Sequence, residues 1–65
     1  MSDIQYAEGD VIEYRDFLGD LRVVRVELKE DDIKNGMPGF DGTVVSGPEK
    51  SESVWGYDYQ IERKR

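Results

Sequence analysis

The chain of 65 residues predicts an all-β fold: a small five-stranded antiparallel barrel with one short helical or 3₁₀ turn. Three observations lead there. The stretch Leu21–Leu28 alternates strictly enough, with Val24, Val26 and Leu28 on one parity and Arg25 and Glu27 on the other, to mark a half-buried strand. Other short runs of β-forming residues are separated by Gly-marked loops, the spacing of a small antiparallel barrel. The end, Ser53-Val54-Trp55-Gly56-Tyr57-Asp58-Tyr59-Gln60-Ile61-Glu62-Arg63, reads as a strand, one tight turn and a last strand. Closure suits so short a chain because it reduces open strand edges.

The elements follow in order. Residues 1–8 read as a loosely ordered lead-in, although Ile4 and Tyr6 alternate and could pair with an edge. Gly9-Asp10 signals a turn, and Val11-Ile12-Glu13-Tyr14-Arg15 is rich in β-formers. Asp16-Phe17-Leu18-Gly19-Asp20 carries Gly and Asp where a hairpin loop wants them. After the strand from Leu21, Lys29-Glu30-Asp31-Asp32-Ile33-Lys34-Asn35-Gly36 is the one place a helical turn fits, with Asn35-Gly36 as its left-handed terminator. Met37-Pro38-Gly39 would break any continuation. Phe40–Val45 resumes strand character, and Ser46–Glu52 is a polar loop without an apolar anchor, expected to be the most mobile segment after the termini. The expected core is Val11, Tyr14, Leu21, Val24, Val26, Leu28, Ile33, Phe40, Val44, Val54, Trp55 and Ile61. Gly42 and Gly56 lie inside strands, where glycine marks a bulge or a close backbone approach.

Composition bounds the chemistry. The chain reads as a single domain, 1–65, and a chain of this length buries only about 60% of the surface it exposes when unfolded. It has no cysteine and no histidine, which excludes Cys/His zinc sites and any nucleophile–histidine relay. Fifteen acidic residues against nine basic leave a net charge of −6, a field that repels nucleic acid at long range. No apolar run reaches the roughly 18 residues of a membrane span. The start lacks the pattern of a signal peptide. Cytoplasmic residence is therefore the expectation.

The order of elements resembles the SH3-like barrel, and Trp55–Ile61 resembles that fold's strand–3₁₀ turn–strand ending. Gly9-Asp10-Val11-Ile12 is similar to the start of KOW and Tudor-type members. Ile33–Gly42 together with Val54–Ile61 also resembles small uncharacterised proteins of actinobacteria and their phages, a likeness that implies no activity. The chain departs from the peptide-binding SH3 pattern. It lacks the paired tyrosine motif early in the first long loop and the proline after the tryptophan strand.

No catalytic residue, metal ligand or cofactor is expected. Asp31 and Asn35-Gly36 suit a calcium loop, but Ile33 occupies a required ligand position and no bidentate glutamate follows at the right distance. Without histidine, only carboxylates, lysines and tyrosines remain as bases, and nothing places one in a pocket. Binding is the remaining class. Phe17 and Leu18 at a hairpin tip either fold back onto the barrel mouth or form a sticky patch. Tyr57 and Tyr59 flank a turn, so one of them is expected to be exposed. Exposed aromatics beside carboxylates suit a proline-rich or arginine-bearing peptide. The first expectation is thus a non-enzymatic protein-interaction module, monomeric or weakly dimeric, with Phe17, Leu18, Tyr57 and Tyr59 meeting a protein partner of unknown identity. A second is nucleic-acid binding through Arg15, Arg22, Arg25, Arg63, Lys64 and Arg65, disfavoured by the net charge. A third is an acidic inhibitor or nucleic-acid mimic of the kind a phage encodes, acting through Glu30, Asp31, Asp32 and Asp41.

Overall fold

A computed structural model describes residues 4–65. Five strands, β1 (Val11–Arg15), β2 (Leu21–Lys34), β3 (Met37–Val44), β4 (Ser53–Tyr57) and β5 (Ile61–Lys64), form one antiparallel sheet in the order β4-β3-β2-β1-β5. A single 3₁₀ turn, η1 (Asp58–Gln60), links β4 to β5, the strands at the two ends of that order. The first three segments expected as strands, and the strand–turn–strand ending, are all present.

The buried residues explain the shape. Ile12 and Tyr14 from β1, Val24 and Val26 from β2, Phe40 and Val44 from β3, and Ile61 from β5 make one cluster. No second layer of structure is available among the described residues, so the sheet must curl around its own apolar face to hide them. Phe17 shows the curl directly. It lies between β1 and β2, yet its ring is 5.2 Å from that of Trp55 on β4, although β2 and β3 separate β1 from β4 in the sheet.

The segment 29–36 is not a helical turn. β2 runs on to Lys34, and Asn35 and Gly36, at φ 58° and 74°, close a two-residue hairpin into β3 with Lys34 paired to Met37. Positive φ at both central residues is what the tight hairpin turn requires, and Asn-Gly supplies it at least cost. The left-handed reading of Asn35-Gly36 is right in conformation and wrong in context: it reverses a strand.

The expected core needs correction. Leu21 and Leu28 are exposed, while Tyr6, Ile12 and Tyr57 are buried in their stead. A register shift between Val26 and Leu28 breaks the alternation that would have turned Leu28 inward. In β1 it is Ile12, not Val11, that shares parity with Tyr14, and Val11 is half-buried. Ile33, Val54 and Trp55 are also only half-buried.

The lead-in is docked from residue 4 onward, and residues 1–3 of it lie outside the described residues. Ile4 packs against the core and Tyr6 is buried within it. The Tyr6 hydroxyl donates to Asp58 Oδ1 at 2.5 Å and also lies 3.2 Å from the Gly39 carbonyl oxygen. The polar loop 46–52 is tied down as well. Ser51 N–H donates to the Val44 carbonyl, Glu52 N–H to that of Glu49, and Glu49 forms an ion pair with Arg22. Gly42 and Gly56 are close approaches: a Cβ at Gly42 would meet the Arg25 carbonyl oxygen and Val24, and one at Gly56 would lie 3.0 Å from Phe40 Cζ.

Candidate functional site

The curl brings four aromatic rings into a continuous row that is open to solvent at Phe17 and Tyr59, half-buried at Trp55 and buried at Tyr57. Phe17 comes from the β1–β2 loop, Trp55 and Tyr57 from β4, and Tyr59 from η1. Trp55 and Tyr57 share parity on their strand, so both side chains leave the same face. Their rings meet edge to face at 5.2 Å. Phe17 closes on both, 5.2 Å from Trp55 and 6.1 Å from Tyr57. Tyr59 stacks on Tyr57 at 5.3 Å with the planes only 14° apart. Such offset and edge-on pairs are favourable geometries for aromatic rings.

The scaffold under the row is hydrogen-bonded. The loop carrying Phe17 is closed by Asp16 N–H to the Asp20 carbonyl at 2.9 Å, and Asp16 Oδ1 accepts from the N–H groups of Leu18 and Asp20 at 3.0 and 2.8 Å. Phe17 is thereby held beside Trp55, yet it stays 59% exposed, with Leu18 at 84%. The tip therefore leans on β4 without burying itself. At the other end, the Gln60 side chain accepts from Tyr57 N–H and donates to the Arg15 carbonyl, each at 2.8 Å. That one amide fastens the turn to β1. The Tyr57 hydroxyl accepts from Asn35 Nδ2 at 3.3 Å, which links the row to the β2–β3 hairpin.

Beside Phe17 and Tyr59 lies a cleft of about 360 Å³, also lined by Arg15, Asp16, Gln60 and Glu62. Its charges are paired. Arg15 Nε donates to Glu62 Oε2 at 3.0 Å. Arg22 Nε donates to Asp16 Oδ2 at 2.9 Å. Burial acts to raise the Asp16 carboxyl, but the Asp20 N–H, Arg22 and the Leu18 N–H outweigh it and hold Asp16 below the ordinary carboxylate range. Hydrogen bonds donated to carboxylate partners, to Glu62 by Arg15 and first to Asp16 by Arg22, raise both guanidinium groups above their ordinary range.

Of the expected contact residues, Phe17, Tyr57 and Tyr59 come together and Leu18 stands at their margin. Tyr57 is the buried tyrosine of the pair and Tyr59, at 60% exposure, the open one. Trp55, expected in the core, belongs to this surface row instead. Its shared parity with Tyr57 is the signal that places it there. Gln60 carries no comparable signal, because its role depends on a carbonyl 45 residues away.

The cations of the nucleic-acid reading do not form an open basic face. Arg15 and Arg22 are engaged as described, Arg63 and Arg65 both reach Glu13, and Lys64 reaches Asp10. Arg25 is exposed and, among the described residues, makes no ion pair. The acidic residues Glu30, Asp31, Asp32 and Asp41 lie on the β2–β3 hairpin, where Asp32 Oδ1 accepts from Gly36 N–H at 2.8 Å. Among the described residues no group of three or more acidic side chains is placed to hold a metal ion, and no helix is long and apolar enough to cross a membrane.

Comparison of the chain with protein-family models, curated proteins and solved structures finds no match in any of the three.

Proposed function

We propose that the protein is a non-enzymatic interaction module of the cytosol, built as an SH3-like barrel, whose contact surface is the aromatic row with Leu18 at its edge. The observation that carries this reading is the row itself. Four rings are packed each against the next, Phe17 and Tyr59 exposed, Trp55 half-buried and Tyr57 buried beneath them, beside a core filled by other residues, Phe40, Ile12 and the valines of β2 and β3. Exposed rings on a rigid frame offer large contact area at low entropic cost, which is why aromatics are favoured at interaction surfaces. The pairing of Arg15, Arg22, Arg63, Lys64 and Arg65 with carboxylates favours this reading over phosphate binding, which needs several uncompensated cations.

The test is affinity capture with mass spectrometry, using wild type beside Phe17→Ser and Tyr59→Ala. Both residues are exposed, so the variants are expected to keep the wild-type circular dichroism. A partner retained by wild type and weakened about tenfold or more by either change supports the surface, since a hot-spot ring is worth at least that. A set of captured proteins identical across all three would count against it.

A further inference from the structure

Lys34 lies at the end of β2, beside the hairpin turn, in the most acidic stretch of the chain. Glu30, Asp31 and Asp32 precede it by two to four residues. Among the described residues its ammonium nevertheless makes no ion pair with any of them. It lies instead over the ring of Trp55, 5.0 Å from the centroid. The other lysine of the same strand behaves alike: Lys29 Nζ sits 4.4 Å over the Tyr6 ring and donates to the Tyr6 carbonyl at 2.9 Å. Lys29 is anchored by that hydrogen bond. Lys34 has the ring alone.

An exposed ammonium placed over an indole, with three carboxylates within four residues of it in the chain, is consistent with the indole face being a favourable place for a cation. Trp is the most favourable ring for this contact, and Arg uses it more often than Lys because its planar group is less tightly hydrated. The rest of the row continues away from Trp55 through Tyr57 to the exposed Tyr59. The net charge of −6 draws cationic ligands to the molecule.

We infer that the occupant of the aromatic row is an arginine-bearing peptide segment, and that Lys34 is its internal competitor: the chain's own ammonium covers the Trp55 face until a guanidinium displaces it. The inference rests on the docking reading above and adds to it the chemistry of the ligand and a built-in occupant that lowers its affinity. An exposed cation–π contact of this kind corresponds to about a two- to fivefold change in affinity.

The experiment has a ligand-free arm and a binding arm. In the free protein, the Lys34 ε-methylene protons are expected to shift upfield under the Trp55 ring current, and to return to ordinary positions in Trp55→Leu. Unshifted protons in wild type would overturn the competitor role. For binding, a synthetic (Arg-Pro)₄ amide is titrated and followed by the Trp55 indole N–H resonance, with the matching citrulline-proline peptide as the uncharged control. Lys34→Gln is expected to bind the arginine peptide about two- to fivefold more tightly than wild type. Lys50→Gln, which makes the same change of charge in the 46–52 loop, is expected to leave affinity within about twofold, the tolerance set by a screened surface charge. If wild type binds through the row and Lys34→Gln binds no better than Lys50→Gln, the competitor is refuted and the docking surface stands. If neither wild type nor Lys34→Gln distinguishes arginine from citrulline, the guanidinium ligand is refuted, while a partner lost on Phe17→Ser would still uphold the surface. Binding unaffected by Tyr59→Ala, and by Trp55→Leu when the same titration is followed by calorimetry in place of the lost indole signal, would mark the peptide as held by general charge and refute the inference as well.

Discussion

Tyr6 shows how much of this small protein hangs on single side chains. Its ring meets Phe40 edge-on at 6.2 Å, and its hydroxyl reaches Asp58, the first residue of the turn that carries Tyr59. Burial, reinforced by the hydrogen bond and charge of Asp58, pushes the hydroxyl well above the ordinary tyrosine range, so it stays a donor. Tyr6→Phe keeps the ring and removes the donor from a carboxylate. We expect a loss of about 1–2 kcal/mol in urea denaturation, together with broadened or shifted resonances at Asp58 and Tyr59. Unchanged stability would mean that the hydroxyl bonds water equally well. Neither the burial of Tyr6 nor its partner was legible in the sequence, because the tyrosine lies outside every strand and the carboxylate is 52 residues away. Phe17, Tyr57 and Tyr59 stand out in the sequence as rings beside turn residues, and the fold brings Phe17 and Tyr59 each against Tyr57. Trp55 was misread because its size argues for full burial, whereas it is half-buried on the strand face it shares with Tyr57.

Among the elements, the β2–β3 hairpin is the one the sequence disguises. Lys29-Glu30-Asp31-Asp32 is poor strand material by composition, and a local reading favours a helical turn. Pairing with β3 overrides that preference, as cross-strand partners commonly do, with Lys29 opposite Phe40 and Glu30 opposite Gly39. Gly39 permits the packing: a Cβ there would run into the Gly56 carbonyl oxygen and the Ile33 side chain. The stretch Val24-Arg25-Val26, buried, exposed and buried in turn, was legible for the opposite reason, since local pattern and tertiary pairing agree there. The turn itself gives a test. Gly36 holds φ 74° with open space around it, so a side chain there is strained by the backbone alone. Gly36→Val should cost about 1–2 kcal/mol. Because the turn positions both Lys34 and Asn35, the change should also disturb the Tyr57 and Trp55 resonances. A variant with wild-type stability would show that the turn adopts another form.

For the whole molecule, charge sets the range of conditions in which the fold persists. Glu13 is held below the ordinary carboxylate range first by the hydrogen bond from Arg65 Nε at 2.6 Å, with Arg63 adding to it. Asp10 is lowered first by the Ala7 N–H and further by Lys64, and Asp16 is lowered as described. A carboxylate with a lower value folded than unfolded stabilises the fold fully above its unfolded value, near pH 4. That contribution fades as pH falls through the folded value. The urea midpoint should therefore hold steady from about pH 7 to pH 5 and drop below about pH 4, with Glu13→Gln flattening that acid limb. The tyrosines act in the opposite direction. Tyr6 and Tyr14, the latter raised chiefly by burial, resist ionisation when folded, so their contribution is complete below the unfolded value near pH 10 and is lost above it. Tyr6→Phe should soften that alkaline limb, and equal limbs in variant and wild type would place the pH dependence elsewhere. The placement of the single indole has a practical consequence. Half-covered between Phe17, Tyr57 and an ammonium, its emission is an intrinsic optical gauge. A ligand seated on the row should move the spectrum toward the blue by excluding water, whereas unfolding should move it toward the red, so the two events are separable in one cuvette without a label.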